Sequence, residues 1–300
     1  MVKAFIQAAR LRTLPLAIAS IMMGSVLAGF YHKHNWTVTL LALFTAILLQ
    51  VLSNFANDYG DFKKGTDDAS RTDRALASGS LTIAQMKIAL IVTSLATLVS
   101  GVLLLYVSLT SLNTDAFVLL LVGFFAIAAA LKYTAGKNPY GYSSLGDVAV
   151  FVFFGLVSVL GVYYLQTNQL DYGFYWSILP ASAIGLLAAG VLNVNNIRDI
   201  DGDLRNNKIT LAVRLKKSGA EVYQLVLVLL AFISLGVFVH LNVGNNGLLM
   251  YLIAPLYIVH WIRLKSLSNT PENRPYYNKL LKFHVLLNLL LVIVISLILV

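Results

Sequence analysis

Asn54-Phe55-Ala56-Asn57-Asp58-Tyr59-Gly60-Asp61-Phe62-Lys63-Lys64-Gly65-Thr66-Asp67-Asp68 ends one long apolar run of the chain, and Asn195-Asn196-Ile197-Arg198-Asp199-Ile200-Asp201-Gly202-Asp203 ends another. These two stretches decide the reading because acid is otherwise scarce. Of the 13 Asp and Glu, five lie between Asp58 and Asp73 and three between Asp199 and Asp203. Carboxylates gathered where an apolar segment ends repel one another unless a cation sits among them. The pattern is therefore a cation-site signal first.

Around these motifs the composition is that of a membrane protein. Of the 300 residues 58% are hydrophobic and 12% charged, with a mean hydropathy of +0.78; a soluble domain carries about a quarter charged residues. Several apolar runs reach the roughly 20 residues a spanning helix needs. The spacing predicts an all-α integral membrane protein with nine transmembrane helices, at about 13–31, 37–57, 82–108, 115–134, 145–166, 173–196, 220–241, 247–262 and 280–300. Between them, residues 59–80 and 197–218 read as long polar loops on the motif side, and loops of that length usually carry function. Without cysteine, disulfides and cysteine-bound metals are excluded. The five histidines have no spacing suited to a catalytic zinc. No cleavable leader is evident, since Arg10-Leu11-Arg12-Thr13-Leu14-Pro15 leads directly into a full-length apolar run that serves as an anchor.

Charge distribution orients the nine spans. Basic residues favour the cytoplasmic side, and with this count only Lys33 of the 22 Lys and Arg falls on the opposite face. The net charge of +9 is thus explained by topology, and a nucleic-acid partner is rejected. The N-terminus is expected in the cytoplasm, with both acidic motifs on the same side. Asn54 and Asp58 share the spacing of Asn195 and Asp199 on helices that run the same way. This suggests one domain over residues 1–300, built as parallel repeats of about 1–134 and 145–262 plus a ninth helix.

Within the first motif Asn54, Asp58 and Asp61 are spaced i, i+4, i+7; within the second, Asn195, Asp199 and Asp203 are spaced i, i+4, i+8. Each set shares a helical face. Oxygen-only donors of this kind suit Mg²⁺, which binds through one or two carboxylates and substrate phosphates. Two opposed stripes suit two ions bridged by a diphosphate. The bland alternative is ordinary loop acids neutralised by nearby Lys and Arg. Arg71, Arg74, Lys137, Arg198 and Lys208 are interleaved with the acids and could bind phosphate oxygens, though any one of them could equally be a headgroup anchor. The turn from Lys132 to Asp147 carries Tyr133, Tyr140 and Tyr142, which read either as interface aromatics or as ring faces for a cationic intermediate. Asp147 reads as an acid complementing the dipole of helix 5.

The two Asp motifs in a nine-helix chain resemble the UbiA superfamily of intramembrane prenyltransferases. Asn57 to Asp68, Arg12-Thr13-Leu14-Pro15, Tyr133-Thr134-Ala135-Gly136, Asn195 to Asp199 and Lys208 to Arg214 are similar to its 1,4-dihydroxy-2-naphthoate polyprenyltransferase branch, which serves menaquinone biosynthesis. One departure is that Gly65 stands where many members have the last Asp of the first motif, and Asp67 follows Asp61 by six. The resemblance implies nine helices around a central cavity in the inner cell membrane, with the active site toward the cytoplasm. Mg²⁺, in two ions, would be held by Asp58, Asp61, Asp67, Asp199 and Asp203, of which Asp58, Asp61, Asp199 and Asp203 are catalytic. Asn54, Asn57, Arg71, Arg74, Tyr133, Lys137, Asn195, Arg198 and Lys208 would bind substrate. The partners are a polyprenyl diphosphate, an aromatic acceptor and the lipid bilayer. Other acceptors on the same scaffold, 4-hydroxybenzoate or homogentisate, stay open. So does a cation transporter, against which stands the lack of acid near the middle of any span.

Overall fold

A computed structural model describes residues 1–32, 34–66, 74–109 and 114–299. Lys33, Asp67, Asp68, Arg71 and Asp73 lie outside the described residues. Among the described residues nine helices are long and apolar enough to cross a membrane. They are α1 (Val2–Tyr31), α2 (Trp36–Lys63), α3 (Ile83–Ser108), α4 (Thr114–Lys132), α5 (Gly146–Thr167), α6 (Tyr172–Arg205), α7 (Leu211–Asn242), α8 (Gly247–Ser266) and α9 (Arg274–Leu299). The protein is a multi-pass membrane protein of all-α class.

Helix starts follow from short polar side chains placed just ahead of apolar runs. Asn35 Oδ1 accepts from Thr37 N at 2.9 Å, and Thr82 and Gln85 exchange reciprocal bonds of 3.2 and 2.8 Å at the start of α3. Asp171 caps Phe174 N at 2.9 Å and Thr210 caps Val213 N at 3.3 Å. Each satisfies donors that the first helical turn leaves orphaned.

The helix ends differ from the hydropathy reading on the motif side. α2 continues to Lys63, α6 to Arg205, and α7 begins at Leu211. Residues 59–63 and 197–205, read as loop, are helical. Hydropathy stops at the first charges, whereas the backbone ladder continues while polar side chains face one another or water. Asp58 and Asp61, like Asp199, Asp201 and Asp203, therefore sit on helix rather than on loops.

α6 is the hub. Its apolar window is 72% buried within the protein, against 17% for α4, whose surface is left for lipid. α6 packs against α5, α7 and α9, while α3 leans on α2 and α4. Contact of α5 with α6 depends on absent side chains. A Cβ at Gly155 would stand 2.6 Å from the Ala181 carbonyl oxygen, and one at Gly185 2.6 Å from that of Phe151. Small residues allow such backbone approach where lipid gives helices no hydrophobic reason to associate. Over Phe151–Leu160 the turns of α5 widen to i→i+5 bonding, with Ser158 Oγ donating to Phe153 O at 2.7 Å. Wide turns of this kind recur at functional sites, and Phe153 and Val157 from this segment face the cavity.

Candidate active site

A cavity of about 490 Å³ opens between the motif ends of α2 and α6. Its two ends differ in chemistry. Leu16, Leu49, Ala126, Phe153, Val157 and Leu281 line the apolar end. At the motif end stand three acids, Asp61, Asp199 and Asp203, and five bases, Arg10, Arg74, Arg205, Lys208 and Arg274. Basic groups outnumber acidic ones, so the wall attracts an anion even though it is studded with aspartates.

Helix geometry explains which motif residues face inward. At about 100° per residue, Asn54, Asn57 and Asp61 fall within a narrow arc, and all three line the cavity. Asp58 is turned away by roughly 60° from Asp61 on the same count and is not on the cavity wall. Its Oδ2 instead accepts from Ala75 N at 3.0 Å, pinning the segment that carries Arg74, while its Oδ1 is buried without a partner. On α6, Asn195, Asp199 and Asp203 all line the cavity. The spacing that faces Asn195 and Asp199 across the cavity is thus Asn57 and Asp61, one register along from the pair picked out by sequence.

The two motifs meet through Lys208. Its Nζ lies 3.6 Å from Asp61 Oδ1 and 3.6 Å from Asp203 Oδ1, so those oxygens are within twice that distance of each other. Burial alone would lower the Lys208 ammonium. Asp61 and Asp203, with Tyr142 and Asp199 behind them, outweigh it and hold the group well above the usual lysine range. Tyr142 donates to Asp61 Oδ1 at 2.9 Å, and its ring lies 5.3 Å below Lys208 Nζ. Burial first, then the field of Asp61, pushes the Tyr142 phenol upward. Arg74 approaches Asp61 Oδ2 at 3.9 Å.

Other candidates take supporting places. Arg198 is not on the cavity wall. Its Nε and Nη2 grip Asp199 at 3.1 and 2.5 Å, Nη2 also donates to Asn195 Oδ1 at 2.7 Å, and Nη1 reaches Asn278 Oδ1 of α9 at 2.6 Å. A side chain held in this bidentate way fixes Asp199. Asn54 Nδ2 donates to Ala9 O at 2.8 Å and Thr13 Oγ1 at 3.1 Å, which leaves its oxygen for the cavity. Tyr133 lines the cavity; Lys137 is exposed and does not, and its carbonyl accepts from Lys64 Nζ at 3.4 Å. Asp67 and Arg71 lie outside the described residues.

Sequence reasoning missed Arg10 and Arg274. Arg10 counted only as a cytoplasmic anchor. A left-handed break in α1 at that residue (φ 49°, ψ 60°) brings it to the cavity wall, where Nη2 is buried without a bond. Arg274 opens α9 and places Nη2 3.3 Å from Asp199 Oδ1. Neither placement leaves a local signal in the sequence.

Comparison with known proteins identifies the family. The family model of the UbiA prenyltransferase family matches residues 17–290. The chain belongs to the UbiA prenyltransferase family. Among the relatives of this UbiA-family chain, a protein of Haemophilus influenzae named 1,4-dihydroxy-2-naphthoate octaprenyltransferase is 42% identical over 95% of this chain and 92% of its own length. One of the same name from Escherichia coli K12 is 41% identical over 97% and 94%. The apo structure of a UbiA homolog from Aeropyrum pernix K1 superposes with a TM-score of 0.70 at 19% identity, covering 96% of this chain and 97% of that one. A UbiA homolog from Archaeoglobus fulgidus, bound to GPP and Mg²⁺, superposes with a TM-score of 0.56 at 14% identity over 95% and 99%.

Proposed function

We propose that this UbiA-family protein transfers a polyprenyl group from an allylic polyprenyl diphosphate to 1,4-dihydroxy-2-naphthoate, releasing diphosphate and CO₂ and yielding demethylmenaquinol. One observation carries the reading: a single cavity joins a cationic, oxygen-rich end to an apolar end. A prenyl diphosphate has the same two-part chemistry. Choice of the naphthoate over 4-hydroxybenzoate or homogentisate rests on the names of the relatives at 41–42% identity.

The residues present fit Mg²⁺. Asp61 on one side of the cavity and Asp199 and Asp203 on the other are oxygen donors at its motif end, and Lys208 Nζ lies 3.6 Å from both Asp61 Oδ1 and Asp203 Oδ1. Asp61 on α2, with Asp199 and Asp203 on α6, would hold it, as two ions. Bound Mg²⁺ would neutralise the diphosphate and so improve it as a leaving group.

The protein's own groups do the rest. Arg10, Arg74, Arg205, Lys208 and Arg274 bind phosphate oxygens and stabilise the negative charge that builds as the allylic C–O bond breaks. Arg198 and Tyr142 hold Asp199 and Asp61 in place for this. Phe153, Val157 and Leu281 keep water from the allylic cation and seat the chain behind it. The basic residues clustered beside both motifs support a cytoplasmic active site in the inner cell membrane.

Turnover in proteoliposomes tests the reading. Mg²⁺, a polyprenyl diphosphate and the naphthoate should give CO₂ and a prenylated quinol, with chelation abolishing both. Prenylation of 4-hydroxybenzoate alone would reassign the acceptor, and cation flux without turnover would reassign the class.

A further inference from the structure

Thr13 fixes the orientation of two amides on the cavity wall. Its Oγ1 donates to Arg10 O at 2.9 Å. A hydroxyl has one proton and two lone pairs, so toward its other neighbours Thr13 Oγ1 is an acceptor. Gln50 Nε2 reaches it at 3.1 Å and Asn54 Nδ2 at 3.1 Å, which fills both lone pairs. Asn54 Nδ2 has Ala9 O as a second acceptor at 2.8 Å. Both amides therefore present nitrogen to α1, and neither can turn over without setting oxygen against oxygen.

What remains of each amide is a carbonyl oxygen. Among the described residues no donor meets Gln50 Oε1 or Asn54 Oδ1. Thr13, Gln50 and Asn54 all line the cavity. Bracing α1 against α2 calls only for the two nitrogens. It does not call for two acceptor oxygens on the wall of a cavity in an apolar bundle, where an unpaired polar group is costly.

Position and chemistry narrow the occupant. Gln50 and Asn54 are spaced i, i+4 and share one face of α2. Leu49, beside Gln50, belongs to the apolar end, and Asp61, about two turns beyond Asn54, to the motif end. The pair thus stands at the junction of the two. There a bound prenyl diphosphate places its allylic carbon, and there the attacking ring must arrive. The ionised oxygens of a diphosphate only accept, so two carbonyl oxygens repel them. A ring hydroxyl brings the proton that both lack.

We propose that Gln50 Oε1 and Asn54 Oδ1 accept hydrogen bonds from the ring hydroxyls of the aromatic acceptor, with Thr13 as the positioning residue that keeps both oxygens turned to the cavity. The inference rests on the prenyl-transfer reading above and gives it an acceptor subsite. A ring with two hydroxyls satisfies both oxygens. A ring with one leaves an oxygen desolvated and unpaired, so the subsite favours dihydroxylated acceptors over singly hydroxylated ones.

Equilibrium binding to the full chain in nanodiscs, loaded with Mg²⁺ and an unreactive thio analogue of the prenyl diphosphate, tests this. The probes are 1,4-dihydroxy-2-naphthoate and its two analogues lacking one hydroxyl, 1-hydroxy-2-naphthoate and 4-hydroxy-2-naphthoate. Wild type should prefer the dihydroxy compound by about 2–10-fold, the usual worth of one neutral hydrogen bond. Gln50→Leu should erase that preference over at least one analogue and leave the affinity for the thio analogue unchanged. Thr13→Val, which frees the amides to turn, should weaken the preference, and Thr13→Ser should keep it. An undiminished preference in Gln50→Leu, or an equal loss of affinity for all three naphthoates, would overturn the subsite. A changed Mg²⁺ requirement with the preference intact would overturn it too, by assigning the oxygens to the metal. Should Gln50→Leu fail to fold, the two Thr13 variants carry the same comparison. Absence of turnover by the wild type with the polyprenyl diphosphate itself would sink prenyl transfer, an outcome distinct from all of these.

Discussion

Lys208 Nζ lies 3.6 Å from Asp61 Oδ1, joining the segment after α6 to the end of α2. The same ammonium is as far from Asp203. One cation thus sets the separation of the two acidic motifs and marks where an anion would be received.

Replacing Lys208 with Ala should leave Asp61 and Asp203 facing each other without their shared counter-charge. We expect kcat/KM for the prenyl diphosphate to fall about 10²–10³-fold, the usual worth of one electrostatic donor, and the Mg²⁺ concentration needed for half-activity to change. Arg at this position should recover part of the activity. Wild-type kinetics in Lys208→Ala would show that the bridge is incidental.

Acids of one motif should separate by orientation. Asp199 and Asp203 line the cavity, while Asp201 between them is exposed. Asp199→Asn should lose activity by orders of magnitude while the protein still inserts, and Asp201→Asn should be nearly silent. Equal loss in both would mean that the motif acts through its net charge.

Asp58 should matter through the segment it pins. Asp58→Ala removes the acceptor for Ala75 N and frees the chain around Arg74; Asn retains an oxygen there. Limited proteolysis between α2 and α3 should accelerate in the Ala variant and not in the Asn variant. An identical response in both would argue against the anchor.

Gly185→Leu inserts a side chain where the Phe151 carbonyl already lies 2.6 Å from a bare Cβ position. Overpacking of this kind costs about 1–3 kcal/mol or more. The unfolding temperature in detergent should drop, and activity should fall with it, because Phe153 and Val157 reach the cavity from the same stretch of α5.

On the face away from the motifs, Asp171 Oδ2 lies 2.5 Å from His32 Nε2, and Tyr163 donates to Oδ1 at 3.0 Å. Burial pushes this carboxyl up, but the Phe174 amide, His32 and Tyr163 outweigh it and hold it below its usual range. A depressed carboxyl contributes stability above its unfolded value, about 3.9, and loses it as pH falls through the folded one. Asp171→Asn should therefore melt below the wild type at neutral pH and converge with it in strong acid. A constant gap across that range would rule out the linkage.

Much of this was legible in the chain. Nine apolar runs with 21 of 22 basic residues on alternate connections required nine helices, because the cost of placing charge or unpaired backbone in lipid is felt locally. The oxygen-only motifs announced themselves because acid is rare elsewhere. Helix ends were less legible. Polar residues 197–205 continue α6, since a backbone ladder outlives the hydropathy that predicts it.

What the sequence determined by itself was class, helix count and the type of chemistry, all consequences of which residue types recur and at what spacing. Which side chains share the cavity was decided only by the tertiary structure. Rotation of α2 turned Asn57 and Asp61 inward and Asp58 toward Ala75; a left-handed break carried Arg10 to the wall; the start of α9 delivered Arg274 to Asp199. Helix phase relative to neighbours is set by packing between elements distant in sequence, and no local pattern encodes it.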